Sequence, residues 1–498
     1  MTVSLNPEQA VAFDQLVAYA KAHKRASSGN AYDFGIDDGL GGFSDPVIRQ
    51  IDPFVLSGLA GTGKTTVVGA FIRSLVADHG YAPERIAVVA YTGKATSVLN
   101  KKLGVDCPVV ATTIHRFLYT MPIDAVQIIS KKIDEIEHTI DASTFVNGVT
   151  KAMDGTNVSL ASLQEERDVL LSELQLVSRK GGLRFQRQPV TLINMNYDVV
   201  LVDEASMVDD EIADHLAQTG LPIIYVGDGN QLPPVGKPFG VDLTHPDAKL
   251  VTIMRQAGDS GIIPVAHQIL KLKALPKTID SSLPGVKRVS GTNPLPHIGP
   301  DGEIPQFVTF FNNTRHGINH TIRKYVKKVD VSDPHCYLPE IGEYVMLDAN
   351  LPEKRLMKGD ILKVLSISFS DDGGVSETTT STFMDEAAAG GYYKAYAKLE
   401  DAYGGHHELC LFLNDLMLSM KHPKGLNPQD VNDKREINRR VHGSVPVMFP
   451  YAITCYKAQG SEWDKVVVIN EAPRDKGVYL QYVYTAVTRA RSSLTIAG

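Results

Sequence analysis

The sequence predicts an α/β fold with two parallel β-sheets. The first observation is a phosphate-binding loop pattern, in which Gly58 and four further residues precede Gly63, Lys64 and Thr65. The second is a set of continuous apolar runs, typical of strands that are buried on both faces. These runs lie at residues 54–56, 85–91, 197–202, 221–226, 466–469 and 493–497. Because the last two come late in the chain, they predict a second sheet.

Length and composition limit the classes of protein to which this chain can belong. At 498 residues, the chain has room for roughly three or four domains. No apolar run approaches the ~20 residues of a membrane span, and residues 1–20 lack the basic start and cleavage site of a secretory signal. The four cysteines, which form no CxxC pair, predict neither a zinc site nor a disulfide framework. We therefore expect a cytoplasmic protein without membrane contact.

The net charge of the chain is −7. A protein that coats nucleic acid indiscriminately is usually basic. Any contact with nucleic acid is therefore predicted to occur in a local groove.

The phosphate-binding loop predicts triphosphate chemistry. The helix-like run at 67–76 follows it, so that the first amides of the helix would face the anion, with Lys64 on the β- and γ-phosphates and Thr65 on Mg²⁺. A later apolar strand ends in Asp203 and Glu204. Asp203 can hold Mg²⁺ through water and Glu204 can polarise the attacking water, which indicates hydrolysis. Alternatively, the two carboxylates stabilise the start of a helix.

Polar side chains also follow other predicted strands. Gln231 lies in the loop at 227–236, where it could sense the γ-phosphate. The segments 92–96 and 112–117 could contact the phosphates or sugars of a nucleic acid. Taken alone, either segment is more typical of an ordinary loop.

The N-terminal part predicts a helix followed by a loop. The helix begins near Asn6 and Pro7, and the Gly-, Asp- and Ser-rich residues 27–53 predict the loop. The predicted apolar face of the helix consists of Ala10, Phe13, Leu16, Val17 and Ala20.

One insertion, at 121–189, interrupts the α/β pattern. It predicts an amphipathic helix at 160–176 and a basic hairpin at 176–187 that carries Phe185. The hairpin could press on a nucleic acid, or it could be a solvated hairpin with its Phe in a core.

A second insertion, at 342–444, predicts short strands like those of small β-barrels. Within it, the tract 366–391 predicts a mobile loop because it contains few large apolar residues. Residues 421–440 predict a charged surface helix.

Several motifs together resemble superfamily 1 helicases of the RecD/Dda branch, which includes phage helicases. DEAS at 203–206 and GDGNQLPPVG at 227–236 are similar to motifs II and III of that family. YAITCYKAQG at 451–460 and YTAVTRAR at 484–491 resemble motifs V and VI. The motifs follow the order of the family across nearly the whole chain.

The resemblance implies two RecA-like P-loop domains with ATP between them. It implies that Gln9 recognises adenine and that Glu462 contacts the ribose. It also implies that Arg255 and Arg489 reach the γ-phosphate from the second domain. The implied nucleotide-binding residues are Gln9, Gly58, Gly61, Thr62, Gly63, Lys64, Thr65, Thr66, Gly460 and Glu462. The implied catalytic residues are Lys64, Glu204, Gln231, Arg255 and Arg489, and the implied Mg²⁺ ligands are Thr65 and Asp203.

The resemblance also implies a path for single-stranded DNA. The implied DNA-binding residues are Thr92, Lys94, Thr112, His115, Phe117, Asn313, Thr454, Lys457 and Gln459. The first insertion would be a wedge domain in which Phe185 splits the duplex, and the second would be an SH3-like domain. The implied boundaries are 1–120 with 190–245 and 246–341 with 445–498 for the RecA-like domains, and 121–189 and 342–444 for the insertions.

The function implied by the resemblance is that of a monomeric, ATP- and Mg²⁺-dependent DNA helicase that translocates 5′ to 3′. Its partners would be single-stranded DNA, duplex junctions and single-strand-binding or other replication proteins, in a host cytoplasm if the protein is phage-encoded. Two alternatives stay open: an ATPase that displaces proteins from DNA or remodels recombination intermediates, and a nucleic-acid-binding scaffold with a vestigial ATPase site.

Overall fold

The structure is a computed structural model. It describes residues 5–24, 50–104, 106–120, 144–146, 149–151, 186–187, 193, 196–252, 261–280, 282–333, 336–349, 351, 354, 356–368, 394–402, 404–420 and 444–498. The chain divides into two compact units, of which one comprises Met1–Ile114 with Asn194–Gly498 and the other comprises His115–Ile193.

The described α-helices are α1 (Pro7–Ala22), α2 (Lys64–Ala77), α3 (Gly93–Leu103), α4 (Ile114–Leu118), α5 (Asp210–Ala217), α6 (Ile262–Leu272), α7 (Asn312–Tyr325), α8 (Asn414–Ser419), α9 (Cys455–Ala458) and α10 (Lys476–Val487). The described strands are β1 (Phe54–Gly58), β2 (Ile86–Ala90), β3 (Thr112–Thr113), β4 (Tyr119–Thr120), β5 (Thr144–Val146), β6 (Val149–Lys151), β7 (Gln186–Arg187), β8 (Val199–Asp203), β9 (Ile223–Gly227), β10 (Ala248–Leu250), β11 (Val286–Val289), β12 (Gln306–Thr309), β13 (Tyr344–Leu347), β14 (Ile361–Ser368), β15 (Lys394–Glu400), β16 (His406–Phe412), β17 (Val445–Met448), β18 (Ala452–Thr454), β19 (Trp463–Ile469) and β20 (Ala490–Ala497).

The first sheet of the larger unit is parallel throughout, with the strand order β10-β1-β9-β8-β2-β3. Its apolar runs are buried as predicted, because helices cover the central strands. Since parallel strands point the same way, the chain leaves β1, β8, β9 and β2 at one edge. The sheet also includes β10, so it extends beyond the predicted boundary at residue 245.

Helix α1 packs on this sheet with a slightly different face from the predicted one. Leu16, Val17 and Ala20 are buried as expected, whereas Ala10 and Phe13 are only partly buried. Gln9 and Ala12 are buried in their place. Residues 9, 12, 16 and 20 form the buried stripe because their spacing follows the helical repeat. The helix begins at a capping box that involves Asn6 and Gln9.

The second sheet is also parallel, with the order β11-β20-β19-β12-β18. The predicted strands at 466–469 and 493–497 are the buried parts of β19 and β20. Helices α6 and α10 pack on one face and share a core with the sheet. The two sheets confirm the predicted parallel α/β fold.

A closed five-stranded barrel follows, built from β13, β14, β15, β16 and β17. Neighbouring strands are antiparallel except for β16 and β17. The barrel interior is continuous with the core between α7 and the second sheet. Strand β17 lies beyond the predicted boundary at residue 444, so the barrel takes one strand that the sequence placed in the second α/β domain.

Two ion pairs join α7 to the barrel region. Arg315 donates from both terminal nitrogens to Asp415, at 3.0 and 2.9 Å. Burial acts to raise the pKa of Asp415, but the charge and hydrogen bonds of Arg315 lower it to about 2. Arg323 is fully buried and donates to both carboxylate oxygens of Glu343 at 2.9 Å. Because buried charges are costly without partners, these pairs fix how α7 meets the barrel.

The unit His115–Ile193 contains two short antiparallel pairings. Strand β4 pairs with β7, and β5 pairs with β6. Outside the described residues lie the predicted helix at 160–176, residues 176–185 of the predicted hairpin, residues 27–49 of the predicted loop at 27–53, residues 369–391 of the tract at 366–391, and the charged helix at 421–440. Across the described ranges, every helix is too short or too polar to span a lipid bilayer.

Candidate nucleotide site

A cleft of about 370 Å³ opens where the strands of the first sheet end. It is lined by side chains and backbone from both α/β sheets, which lie in the same compact unit. The predicted residues that line it are Gly61, Gly63, Lys64, Thr65, Thr66, Asp203, Glu204, Gln231, Gly460, Glu462 and Arg489. Parts of the chain that are hundreds of residues apart therefore meet in one site.

The phosphate-binding loop has the backbone that its glycines predict. Gly61 and Gly63 both have φ of 81°, a conformation that favours glycine, and Gly63 is the residue before α2. A Cβ on Gly63 would lie 2.4 Å from Nε2 of Gln9. Lys64 Nζ donates to the carbonyls of Gly58, at 2.7 Å, and Leu59, at 3.1 Å. Lys64 is thus the first residue of α2, and its side chain lies against the loop.

Gln9 supports the loop from behind. Its Nε2 donates to the Thr62 carbonyl at 3.0 Å, and its Oε1 accepts from the Asn6 amide at 3.1 Å. The Gln9 side chain is buried. Of the described residues predicted to bind nucleotide, Gln9, Gly58 and Thr62 are not among those that line the cleft. Adenine recognition by Gln9 stays a prediction, and its observed contacts stabilise the loop.

The carboxylates Asp203 and Glu204 lie at the end of β8, which is separated from β1 by β9 alone. Burial, followed by the charge of Glu204, raises the pKa of Asp203 to about 6. Glu204 has φ 54° and ψ 43°, a backbone conformation uncommon for a residue with a side chain. Such backbones are retained mostly at functional sites. The pair therefore concentrates negative charge in the cleft, where a divalent cation would relieve it.

Gln231 lines the cleft from the loop that follows β9. Its Oε1 is buried and has no hydrogen-bond partner among the described residues. The next residue, Leu232, has its amide donating to Thr485 Oγ1 at 2.9 Å and its carbonyl accepting from Gln459 Nε2 at 2.9 Å. The loop that carries Gln231 is thus held by the second α/β domain.

Arg489 lines the cleft from the short connection between α10 and β20. It is buried, and its donors bind Thr485 O at 3.0 Å, Thr488 Oγ1 at 3.1 Å and Ser461 O at 3.4 Å. Glu462 forms ion pairs at 3.4 Å with Lys102 and with Arg491. The guanidinium is therefore inside the cleft but bound to its own domain.

The donor set fits ATP with Mg²⁺. The loop provides backbone amides at the start of α2, and a side chain at Gly63 would collide with the Gln9 amide that supports the loop. Thr65 and Asp203 offer oxygen ligands, and Gln231 offers a buried acceptor without a partner. Among the described residues, no group of three His, Cys, Asp or Glu side chains could hold a metal by itself. Mg²⁺ usually takes one or two carboxylates together with waters and substrate phosphates, and Asp203 offers one such carboxylate.

Some residues that line the cleft were not predicted from the sequence. The segment 92–96 is not a loop: Thr92 caps α3 by accepting from the Ala95 amide at 3.1 Å. One face of α3 then lines the cleft, since three- and four-residue spacing aligns its side chains. The unpredicted lining residues are Ala60, Ala95, Val98, Leu99, Lys102, Gly227 and Thr488. Recognising the Thr92 cap would have revealed the helical face.

The predicted DNA contact Lys94 is covered by other parts of the protein. Its Nζ lies 5.1 Å from the centroid of the Trp463 ring, and burial lowers its pKa. A Cβ on the adjacent Gly93 would lie 2.7 Å from Sδ of Met357, which follows β13. The start of α3 therefore faces Trp463 and the barrel region.

The predicted DNA contacts after β18 also have protein partners. Lys457 Nζ donates to Asp348 Oδ1 at 2.8 Å, and Gln459 binds Leu232 as described above. Thr454 is buried at the start of α9. A role in binding DNA stays a prediction for these three residues.

The remaining predicted residues are more scattered. Thr112 lies in β3, and Asn313 is exposed in the first turn of α7. His115 and Phe117 lie on α4, and Phe117 is buried. Arg255 and Phe185 lie outside the described residues.

Two sequence families match this chain. The family described as AAA domain matches residues 47–237, which contain the phosphate-binding loop, Asp203 and Gln231. The family described as UvrD-like helicase C-terminal domain matches residues 449–497, which contain Arg489. Both matches therefore fall on parts of the chain that line the cleft.

Individual proteins are similar to this chain either at low identity or over a short stretch. An uncharacterized protein of Methanocaldococcus jannaschii, MJ1519, is 23% identical over 492 residues, which is 89% of this chain and 36% of that protein. The ATP-dependent RecD2 DNA helicase of Deinococcus radiodurans is 39% identical over 80 residues, 15% of this chain and 11% of that protein. The chain thus spans about a third of the length of the first relative and matches a short part of the second.

Solved structures of similar proteins include the Pif1 helicase from Candida albicans, with 16% identity, coverage of 100% of this chain and 95% of that chain, and a TM-score of 0.43. Another is Bacteroides Pif1 bound to ssDNA, with 15% identity, coverage of 90% and 89%, and a TM-score of 0.44. At these TM-scores the assignment rests on the sequence matches and the motifs. Together with the motifs, the two family matches and the RecD2 match support a superfamily 1 helicase of the RecD/Pif1/Dda type.

Proposed function

We propose that this protein is an ATP- and Mg²⁺-dependent DNA helicase. The observation that carries the proposal is the cleft, in which Lys64, Glu204 and Gln231 from the first α/β domain meet Arg489 from the second. A site built from two domains can open and close around its ligand. Such closure can be converted into steps along a strand.

Each residue has a role that its position supports. Lys64 and the loop amides bind the phosphates, and Arg489, released from Ser461 and Thr488, stabilises charge on the transferring phosphoryl group. Glu204 orients the attacking water and accepts its proton. Thr65 and Asp203 would hold Mg²⁺, which neutralises phosphate charge when bound. Arg255 would add a second positive charge.

The nucleic-acid side of the proposal follows from the family. Single-stranded DNA would cross both α/β domains, and movement would run 5′ to 3′. Residues 121–189 would act as the wedge, with Phe185 as the residue that splits the duplex, and the five-stranded barrel would be the SH3-like domain. We propose a monomer that works in the cytoplasm on duplex junctions.

Duplexes with a single-stranded tail at one end test this proposal. We expect ATP-dependent unwinding of a duplex with a 5′ tail and none of a duplex with only a 3′ tail, with the Lys64→Ala variant as the inactive control. Unwinding from the 3′ tail alone would contradict the polarity. Release of streptavidin from a biotinylated strand without unwinding of either duplex would favour an ATPase that displaces proteins.

A further inference from the structure

One tyrosine hydroxyl bridges the two α/β domains next to Ala60, which lines the cleft. Tyr484, on α10, accepts a hydrogen bond from the amide of Ala60 in the phosphate-binding loop at 2.9 Å. The same hydroxyl donates to Oδ2 of Asp228 at 2.6 Å. Tyr484 is fully buried and Asp228 is 2% exposed. Burial and the Asp228 charge raise the pKa of Tyr484 well above its usual value, so the hydroxyl keeps its proton.

Asp228 belongs to the loop that presents Gln231. Its Oδ1 accepts from the amide and the side chain of Asn230, both at 3.0 Å, and its carbonyl accepts from the Gln231 amide at 3.1 Å. The position of Gln231 is therefore tied to Asp228. Through Tyr484, it is also tied to Ala60.

The second domain holds this loop at further points. The Leu232 side chain is fully buried in the core of the second domain, with Val308 and Tyr482. Thr485, next to Tyr484 on α10, accepts from the Leu232 amide. Helix α10 thus contacts the phosphate-binding loop and the Gln231 loop in two successive residues.

We propose that Tyr484 is a positioning residue that couples the phosphate-binding loop to the Gln231 loop and to the second domain during ATP hydrolysis. It does not touch the reacting atoms. It fixes the distance between the loop that binds the phosphates and the loop that senses the γ-phosphate, so that movement of the second domain on DNA is transmitted to both. This inference rests on the proposed ATPase function.

Removal of the hydroxyl tests the bridge. Tyr484→Phe keeps the ring but leaves the Ala60 amide without its acceptor and the buried Asp228 carboxylate without a donor. Hydrogen bonds to charged groups are the stronger class in proteins, and we expect a decrease of about 10- to 100-fold in kcat for DNA-stimulated ATP hydrolysis. The KM for ATP should stay within about 3-fold of the wild-type value, because the Lys64 side chain and the backbone amides of the loop still bind the phosphates.

Tyr482→Phe is the matched control. Tyr482 is a fully buried tyrosine two positions before Tyr484 on the same helix, and its hydroxyl donates to the carbonyls of Val308 and Ile469, both in the second domain. It should leave kcat and KM within about 3-fold of wild type, while its melting temperature reports the cost of losing a buried hydroxyl. A Tyr484→Phe protein with the kcat of Tyr482→Phe would overturn the inference, as would a raised KM with unchanged kcat.

A double-mutant cycle with Asp228→Asn separates coupling from general damage. If both side chains act through one hydrogen bond, the double variant should be no slower than the slower single variant. Independent, multiplicative losses would overturn the inference. If DNA does not stimulate hydrolysis by the wild-type protein, that result contradicts the proposed function and not the bridge. The bridge is then tested by comparing kcat for Tyr484→Phe and Tyr482→Phe without DNA.

Discussion

Replacing Lys64 with alanine should lower kcat/KM for ATP hydrolysis by about 10³-fold or more, because the lysine supplies the positive charge of the phosphate-binding loop. Lys64 lines the cleft and lies on the loop carbonyls, close to where phosphate oxygens would bind. The effect is measured by steady-state phosphate release across a range of ATP concentrations. Lys101→Ala is the control, since Lys101 is an exposed lysine on the neighbouring helix α3.

Glu204→Gln distinguishes chemistry from binding at the same site. A lost general base costs about 10²- to 10⁴-fold in kcat, while ATP should still bind because the loop is intact. Full hydrolysis by Lys64→Ala or by Glu204→Gln would contradict the assigned roles. Wild-type activity in the Lys101→Ala protein is required for either result to be specific.

Replacing Arg323 with methionine should destabilise the second domain by about 3–5 kcal/mol, the range for removing one partner of a buried ion pair. Besides Glu343, Arg323 donates to the carbonyls of Leu338, at 2.6 Å, and Cys336, and its guanidinium lies 4.2 Å from the centroid of the Phe449 ring. The substitution leaves the Glu343 carboxylate buried without its countercharge. Urea unfolding followed by circular dichroism measures the loss.

Arg85→Met is the matched control for Arg323. Arg85 pairs with Asp198 at 2.6 Å, but its side chain is 37% exposed, so its loss should cost less than about 1 kcal/mol. Adding Glu343→Gln to the Arg323 variant removes the stranded charge and should restore part of the stability. Equal destabilisation by the two arginine substitutions would contradict the structural role of the buried pair.

The sequence predicted the parts of the fold that local patterns encode. The apolar runs became the central strands, because a strand buried on both faces is apolar throughout its length. The phosphate-binding loop and the Asp203–Glu204 pair were found because their chemistry demands fixed residue types at fixed spacing. Their meeting in one cleft with Arg489 followed from the order of the family motifs.

The contacts that sequence did not reveal are nonlocal. Nothing in the neighbourhood of Tyr484 indicates that its hydroxyl reaches Ala60 and Asp228, more than 250 residues away in the chain. In the same way, β17 reads as part of the second α/β domain, although it closes the barrel by pairing with β13 and β16. The cap at Thr92 was a local signal, but a short polar segment after a strand is also typical of a loop.

Steady-state ATP hydrolysis measured without nucleic acid, with single-stranded DNA and with single-stranded RNA, each at two salt concentrations, tests the central claim most directly. A DNA-driven motor predicts that single-stranded DNA stimulates hydrolysis and that the DNA concentration needed rises with salt, because binding to phosphates releases counterions. Stimulation by RNA alone would contradict the proposed substrate. A rate that neither polymer changes at either salt concentration would contradict the helicase function and leave only an ATPase.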